Sequence, residues 1–130
     1  MYDVSENVVA QQIVDAAYQV HVKLGPGLLE SVYEAALAYE LEKRGLHVHR
    51  QPPIPVVYEE IQIQVAFHAD LVVEDKVIVE IKAVENVSPL HKRQLLTYLR
   101  LADKRLGLLI NFNVVLIKHG ITRIVNGLKE

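Results

Sequence analysis

Two acids and a lysine interrupt an otherwise aliphatic stretch. Residues 67–82 read Phe-His-Ala-Asp-Leu-Val-Val-Glu-Asp-Lys-Val-Ile-Val-Glu-Ile-Lys, with Asp70, Glu80 and Lys82 inside the apolar runs. Val77-Ile78-Val79 and Ile81 read as a buried strand, where a charge is costly unless paired or bound to a metal. Glu80 and Lys82 are two residues apart, so on a strand they point the same way. Asp70 falls on the preceding strand, across a turn at Glu74-Asp75-Lys76. Two acids and a lysine on one face of a buried hairpin are the set a hydrolytic metal site needs.

Register decides whether the acids meet. With a three-residue turn at 74–76, Val73 pairs with Val77, Asp70 faces Glu80, and His68 faces Lys82. Opposed Cβ atoms lie about 4.5–5.5 Å apart. Carboxylates that close repel unless a divalent cation sits between them or one holds a proton. With a two-residue turn the acids point to opposite faces. Burial favours the first register, because it gathers Leu71, Val73, Val77, Val79 and Ile81 on the other face. In that register, neutralising either acid is expected to leave the metal-free fold as stable or more so. Spacing alone also fits a partly exposed hairpin in which Asp70, Glu80 and Lys82 form a salt-bridge ladder.

The elements that must position these residues follow from periodicity and breakers. Ser5 or Asp3 caps a first helix running to about Lys23, with Val8, Ile13, Ala16, Ala17, Val20 and Leu24 as its core stripe. Gly25-Pro26-Gly27 ends it, and a second helix runs from about Leu28 to Arg44 with Gly45 just past its end. Pro52, Pro53 and Pro55 mark an edge or irregular stretch. Short strands are expected near Val56–Tyr58 and Ile61–Val65, then the longer pair, about Ala66–Val73 and Val77–Val84. Ser88-Pro89 starts a third helix that runs to about Ala102. Leu106–Asn111 is an apolar strand, with weaker strands near Val114–Lys118 and Ile121–Val125. The reading is one domain over residues 1–130, of α/β (α+β) class, with a mixed central sheet flanked by helices and one parallel crossover at 77–111.

Further residues have both structural and chemical readings. Gln94 and Tyr98 are one helical turn apart on the third helix, three and seven residues after His91. Taken alone, Tyr98 is a half-buried helix tyrosine and Gln94 a surface residue. Glu30 stands at the third helical position if Gly27 is the N-cap, where an acid closes a capping box. It also shares a stripe with Tyr33, Leu37 and Leu41, at the end of an inward face. His21 falls in the last turn of the first helix, where a histidine suits the negative dipole end. His47, His49 and His119 have no assigned role. Lys92, Arg93, Arg100, Lys104 and Arg105 cluster, and read chiefly as a solvated face.

Taken together, the motifs resemble a known group. Asp70 with Glu80-Ile81-Lys82 is the Asp…Glu-x-Lys signature of PD-(D/E)xK nucleases. Gln94-Leu-Leu-Thr-Tyr98 resembles the RecB-like branch of that superfamily. Gly27-Leu-Leu-Glu30-Ser-Val-Tyr33 resembles the small GxxExxY proteins assigned to it. The likeness runs from about Ile13 to Val125 and includes the His21–Gly27 and Gly107–Phe112 segments. It implies a restriction-endonuclease-like core and a Mg²⁺- or Mn²⁺-dependent hydrolase cutting nucleic acid to leave a 5′-phosphate. Asp70, Glu80, the Ile81 carbonyl and Glu30 would hold the metal. Lys82 would act on the water, and Gln94 and Tyr98 would position the strand. His21, Tyr33, His68 and His91 would stand behind these groups.

Composition bounds the alternatives. With 130 residues, 51% hydrophobic and 23% charged, the chain suits a compact domain. The opening Met-Tyr-Asp-Val-Ser-Glu is acidic and polar, unlike a signal peptide, and no apolar run reaches a membrane span, so a cytoplasmic protein is expected. The absence of cysteine excludes disulfides and cysteine metal sites. A net charge of −2 counts against tight sequence-independent DNA binding. The rival reading is therefore a catalytically weak or inactive binding or assembly module on the same fold. The apolar content and the Val- and Ile-rich late strands lead us to expect a homo-oligomer.

Overall fold

Ser5 is extended, and its hydroxyl accepts the Val8 N–H at 3.3 Å, which starts helix α1 (Glu6–Leu24). The computed structural model describes residues 4–129, so the alternative cap Asp3 lies outside the described residues. Val9, Ala10, Ile13, Ala16, Ala17 and Val20 form the buried stripe of α1. Val8 and Leu24, expected in it, are exposed. Val9 rather than Val8 lies four and seven residues from Ile13 and Ala16, on the same helical face.

The helix stops at Gly25, whose φ of +70° suits glycine and whose N–H bonds the His21 carbonyl at 2.8 Å. Helix α2 (Glu30–Lys43) then starts later than expected, with Leu29 as N-cap and no side-chain cap bond. The capping box proposed for Glu30 therefore does not form.

The central sheet has five strands in the order β1-β4-β5-β6-β7. These are β1 (Val48–Arg50), β4 (Leu71–Val73), β5 (Val77–Lys82), β6 (Leu106–Asn111) and β7 (Ile121–Val125). Strands β5 and β6 are parallel and joined through α3 (Pro89–Ala102), whereas the other pairs are antiparallel. The Ser88 hydroxyl accepts the His91 N–H at 3.3 Å, and the His91 ring accepts the Ser88 N–H at 3.2 Å, so Ser88 caps α3 as expected. One sheet face packs on α1 and α2 through Leu71, Val73, Val77, Val79, Ile81, Leu106, Leu108 and Ile110. The other carries Val72, Ile78 and Leu109 against Leu95 and Leu99 of α3. Gly107 lets α3 come close, because a Cβ there would meet the Leu95 side chain at 3.0 Å.

Three strand expectations are corrected. The strand expected over 66–73 is two: β3 (Ile61–His68) and β4, broken at Ala69-Asp70. β3 leaves the main sheet and pairs with β2 (Pro53–Tyr58) around the expected turn at Glu59-Glu60. That ribbon shifts register between Ile54 and Val56, at Pro55, which has no N–H for a ladder bond. Residues 114–118 form no strand; the carbonyl of Val114 is held instead by the His21 ring, and Ile117–His119 is a 3₁₀ turn. Strand β1 was not expected, being only three residues long.

Candidate active site

Leu71 pairs with Val79 and Val73 with Val77, so the turn spans three residues and Asp70 falls opposite Glu80. The turn is tight: Glu74 and Asp75 both have φ near +55°, and the Lys76 N–H bonds the Val73 carbonyl at 3.0 Å. Glu80 and Lys82 project from β5 on the Ile78 side, towards α3.

The two acids are held differently. Asp70 Oδ2 accepts the Ile81 N–H at 2.7 Å, and Oδ1 accepts from Gln51 Nε2 at 3.2 Å. Glu80 is 7% exposed, and its Oε1 has no hydrogen-bond partner. Burial pushes the Glu80 carboxyl up to about 9, the adjoining Asp70 carboxyl pushes the same way, and the Lys82 charge opposes them more weakly. At neutral pH Glu80 therefore holds a proton in the absence of a cation. Among the described residues Lys82 makes no ion pair with Asp70 or Glu80, so the salt-bridge ladder is not what the structure shows.

Tyr98 faces this pair from α3. Burial pushes its phenol up, the Glu80 and Asp70 charges add to this, and a hydrogen bond with Gln94 pulls it down. Its ring stacks on Phe67 with centroids 3.7 Å apart and planes tilted by 16°. Gln94 and Tyr98 thus act as a unit beside the acids, with Phe67 as backing that the sequence reading had not singled out.

The remaining site residues are placed as follows. Glu30 Oε2 accepts the Ala83 N–H at 3.1 Å, at the end of β5. Among the described residues no three His, Cys, Asp or Glu side chains come together as a metal cage, so Glu30 does not stand with Asp70 and Glu80 as a ready third ligand. Ile81 directs its N–H to Asp70, and in a strand a residue's carbonyl leaves on the same side as its N–H. Tyr33 is fully buried; its hydroxyl donates to the Gly25 carbonyl at 2.6 Å and accepts the Leu28 N–H at 3.1 Å, while its ring stacks on Phe112. It fastens the loop between α1 and α2. His21 Nε2 bonds the Val114 carbonyl at 2.8 Å, and His68 Nδ1 bonds the Gln51 carbonyl at 2.9 Å. His91 is occupied as the cap partner of Ser88.

Sequence reasoning missed Gln51, Glu34 and Asn111. Gln51 Nε2 bridges Glu34 Oε1 at 2.6 Å and Asp70 Oδ1, while its backbone N–H bonds the Asp70 carbonyl at 2.9 Å. Its φ of +55° brings it there, and nothing in the residue type signals that conformation. Glu34 is one turn after Glu30, a spacing that could have drawn notice. Buried Asn111 bonds both the N–H and the carbonyl of Val84, tying the exits of β5 and β6 together.

A buried carboxyl with an unpartnered oxygen, opposite a second carboxyl, is a donor set suited to a hard divalent cation. The profile of the PD-(D/E)XK nuclease superfamily matches residues 7–124, nearly the whole chain. The chain belongs to that superfamily, and its mixed five-stranded sheet flanked by helices is the restriction-endonuclease-like core. The domain is thus of nuclease type, in a superfamily whose members generally use divalent metal ions. Neither the curated proteins nor the solved structures contain a match to the chain. No helix among the described residues is long and apolar enough to cross a membrane.

Proposed function

We propose that the chain is a Mg²⁺- or Mn²⁺-dependent phosphodiesterase acting on nucleic acid, of the GxxExxY type within the RecB-like branch. The observation that carries this reading is the buried Glu80 carboxyl, with its unpartnered Oε1, set opposite Asp70. Asp70, Glu80 and the Ile81 carbonyl would hold the ion, with Glu30 at the edge of the site. When bound, that ion supplies Lewis acidity at the scissile phosphate and lowers the pKa of water. To serve as a ligand, Glu80 would give up its proton. Lys82 orients the attacking water and offsets charge on the transition state. Tyr98, braced by Gln94 and Phe67, positions the strand.

The test is cleavage of labelled single- and double-stranded DNA and RNA with Mg²⁺ or Mn²⁺, beside Lys82→Ala and EDTA controls. Metal-dependent products bearing 5′-phosphates, absent with Lys82→Ala, are expected. Equal cleavage by wild type and Lys82→Ala would place the activity elsewhere.

One observation favours the rival, a nuclease-fold binding module with weak or no catalysis. Glu30 is engaged by the Ala83 N–H, and no three-ligand cage stands ready among the described residues. No specific Mn²⁺ heat, and no cleavage of any nucleic acid under any metal tried, would select this reading. A homo-oligomer remains part of the proposal, because Val22, Leu29, Tyr39 and Val115 are all exposed. A monomer mass at micromolar concentration would remove that part.

A further inference from the structure

Away from the acid pair, two histidines at the start of strand β1 are used by neither the fold nor the proposed reaction. His47 immediately precedes β1 and His49 lies within it. They are two residues apart and both exposed, while Val48 between them packs on the core. Their Nε2 atoms are 3.0 Å apart, with ring centroids at 4.5 Å and planes at 88°. Without an ion, one ring must donate its N–H to the other.

The same separation fits two imidazoles on one ion. With metal–nitrogen bonds of about 2.05 Å, a 3.0 Å bite corresponds to an N–metal–N angle of roughly 95°. That is close to the right angle of tetragonal Cu²⁺ and Ni²⁺, and tetrahedral Zn²⁺ needs only a slight opening. Mg²⁺ and Mn²⁺ prefer oxygen ligands and would not compete here.

The turn beside the pair adds negative charge. Glu74 and Asp75 are non-glycine residues held one after the other in the left-handed region. Glu74 Oε2 takes the His47 backbone N–H at 2.6 Å. Asp75 lies beside His49, although its carboxylate is also paired with Lys104 Nζ at 2.8 Å. His49 and Asp75 also line a cleft of about 350 Å³ with Pro52, Ile54 and Lys104, so ligands completing the ion have room beside them. No three-residue cage forms among the described residues, which makes the pair a two-point chelate completed by water.

We propose that His47 and His49 form a second, independent metal site, which takes a late first-row divalent ion of the Cu²⁺, Ni²⁺ and Zn²⁺ class. Calorimetric titration with Ni²⁺ and Zn²⁺ tests it on wild type, His47→Ala, His49→Ala and Glu80→Gln. One equivalent should bind to wild type and to Glu80→Gln, with affinity at least tenfold lower in each histidine variant, while Mn²⁺ binding is unchanged in those variants. Uptake that is equal in wild type and both histidine variants, or lost in Glu80→Gln alone, would overturn the assignment. On the unmutated protein, Ni²⁺ should broaden the imidazole NMR signals of His47 and His49 before those of His21, His68, His91 and His119. Broadening that begins at any of those four would also overturn it. Because Glu80→Gln disables the proposed acid site alone, failure here and failure of the nuclease reading are separately visible.

Discussion

Glu80→Gln should stabilise the metal-free protein. In the fold the Glu80 carboxyl is pushed from an ordinary 4.5 up to about 9, by burial first and by Asp70 second. At pH 7 the unfolded chain ionises Glu80 and the folded one protonates it, so folding takes up a proton. With about 1.4 kcal/mol per pH unit, the gap of roughly 2.5 units between pH 7 and 4.5 amounts to a cost of about 3 kcal/mol. That ceiling requires only that the folded value lie well above 7. Glutamine is neutral in both states, and its amide N–H can donate to Asp70 as the protonated acid does, so the cost disappears. The pH dependence has a definite sign. The folded state binds the extra proton between about 4.5 and 9, so this contribution to wild-type stability is full below 4.5 and is lost as pH rises through 9; the cost is absent below 4.5 and grows with pH. Urea denaturation in EDTA should therefore show the variant more stable by up to about 3 kcal/mol at neutral pH, with the gap closing towards pH 4.5. Added Mn²⁺ should reverse the order, because ligand binding stabilises only the form that keeps both acids. A variant less stable than wild type at neutral pH in EDTA, or a gap independent of pH, would refute the argument.

Asp70→Asn should behave oppositely, which corrects the expectation that neutralising either acid is harmless. Asp70 accepts from both the Ile81 N–H and Gln51 Nε2, and an amide would turn a donor towards one of them, at about 1–3 kcal/mol in melts. Gln51→Ala should also lower stability, yet leave Mn²⁺ binding in calorimetry as tight or tighter, because the ion no longer displaces a contact on Asp70 Oδ1. Gln51→Gly should lower stability less, because glycine accepts the φ of +55°, with the same effect on Mn²⁺ binding. Lys82→Ala should abolish cleavage with metal binding largely kept, and Lys82→Arg should not restore turnover, since a guanidinium is larger and keeps its proton.

Much of the frame was legible because it rests on local chemistry. Ser88-Pro89 starts α3 and the apolar run 106–111 is β6, as spacing and capping rules indicate. The three-residue turn was the register that burial favoured, since it gathers Leu71, Val73, Val77 and Val79 on one face, and the structure has it. What escaped depends on partners distant in sequence. Val114–Lys118 has the composition of a strand, but His21 claims the Val114 carbonyl 93 residues away. Glu30 has the spacing of a capping residue, but Leu29 takes the cap position and Glu30 turns to Ala83. Gln51 adopts its left-handed backbone between β1 and β2 because Asp70 and Glu34 hold it on both sides. The five clustered basic residues include Lys104 and Arg105, which are paired with Asp75 and Asp103 as a solvated face would be.

The break at Ala69-Asp70 joins fold to chemistry. In the register of β4 and β5, Ile81 would pair with residue 69, had the strand continued. Instead the Ala69 N–H turns to the Pro52 carbonyl at 3.2 Å, and Asp70 Oδ2 takes the Ile81 N–H in place of a backbone carbonyl. One oxygen of Asp70 is thus spent on finishing the sheet. Its other oxygen is lent to Gln51 through a 3.2 Å bond, longer than the 2.6 Å bond from the same nitrogen to Glu34. A cation seated against Asp70 therefore needs to displace only the weaker of the two Gln51 contacts, while Glu34 keeps Gln51 in place. The strand break leaves Asp70 with one oxygen committed to the fold and one that a cation can claim.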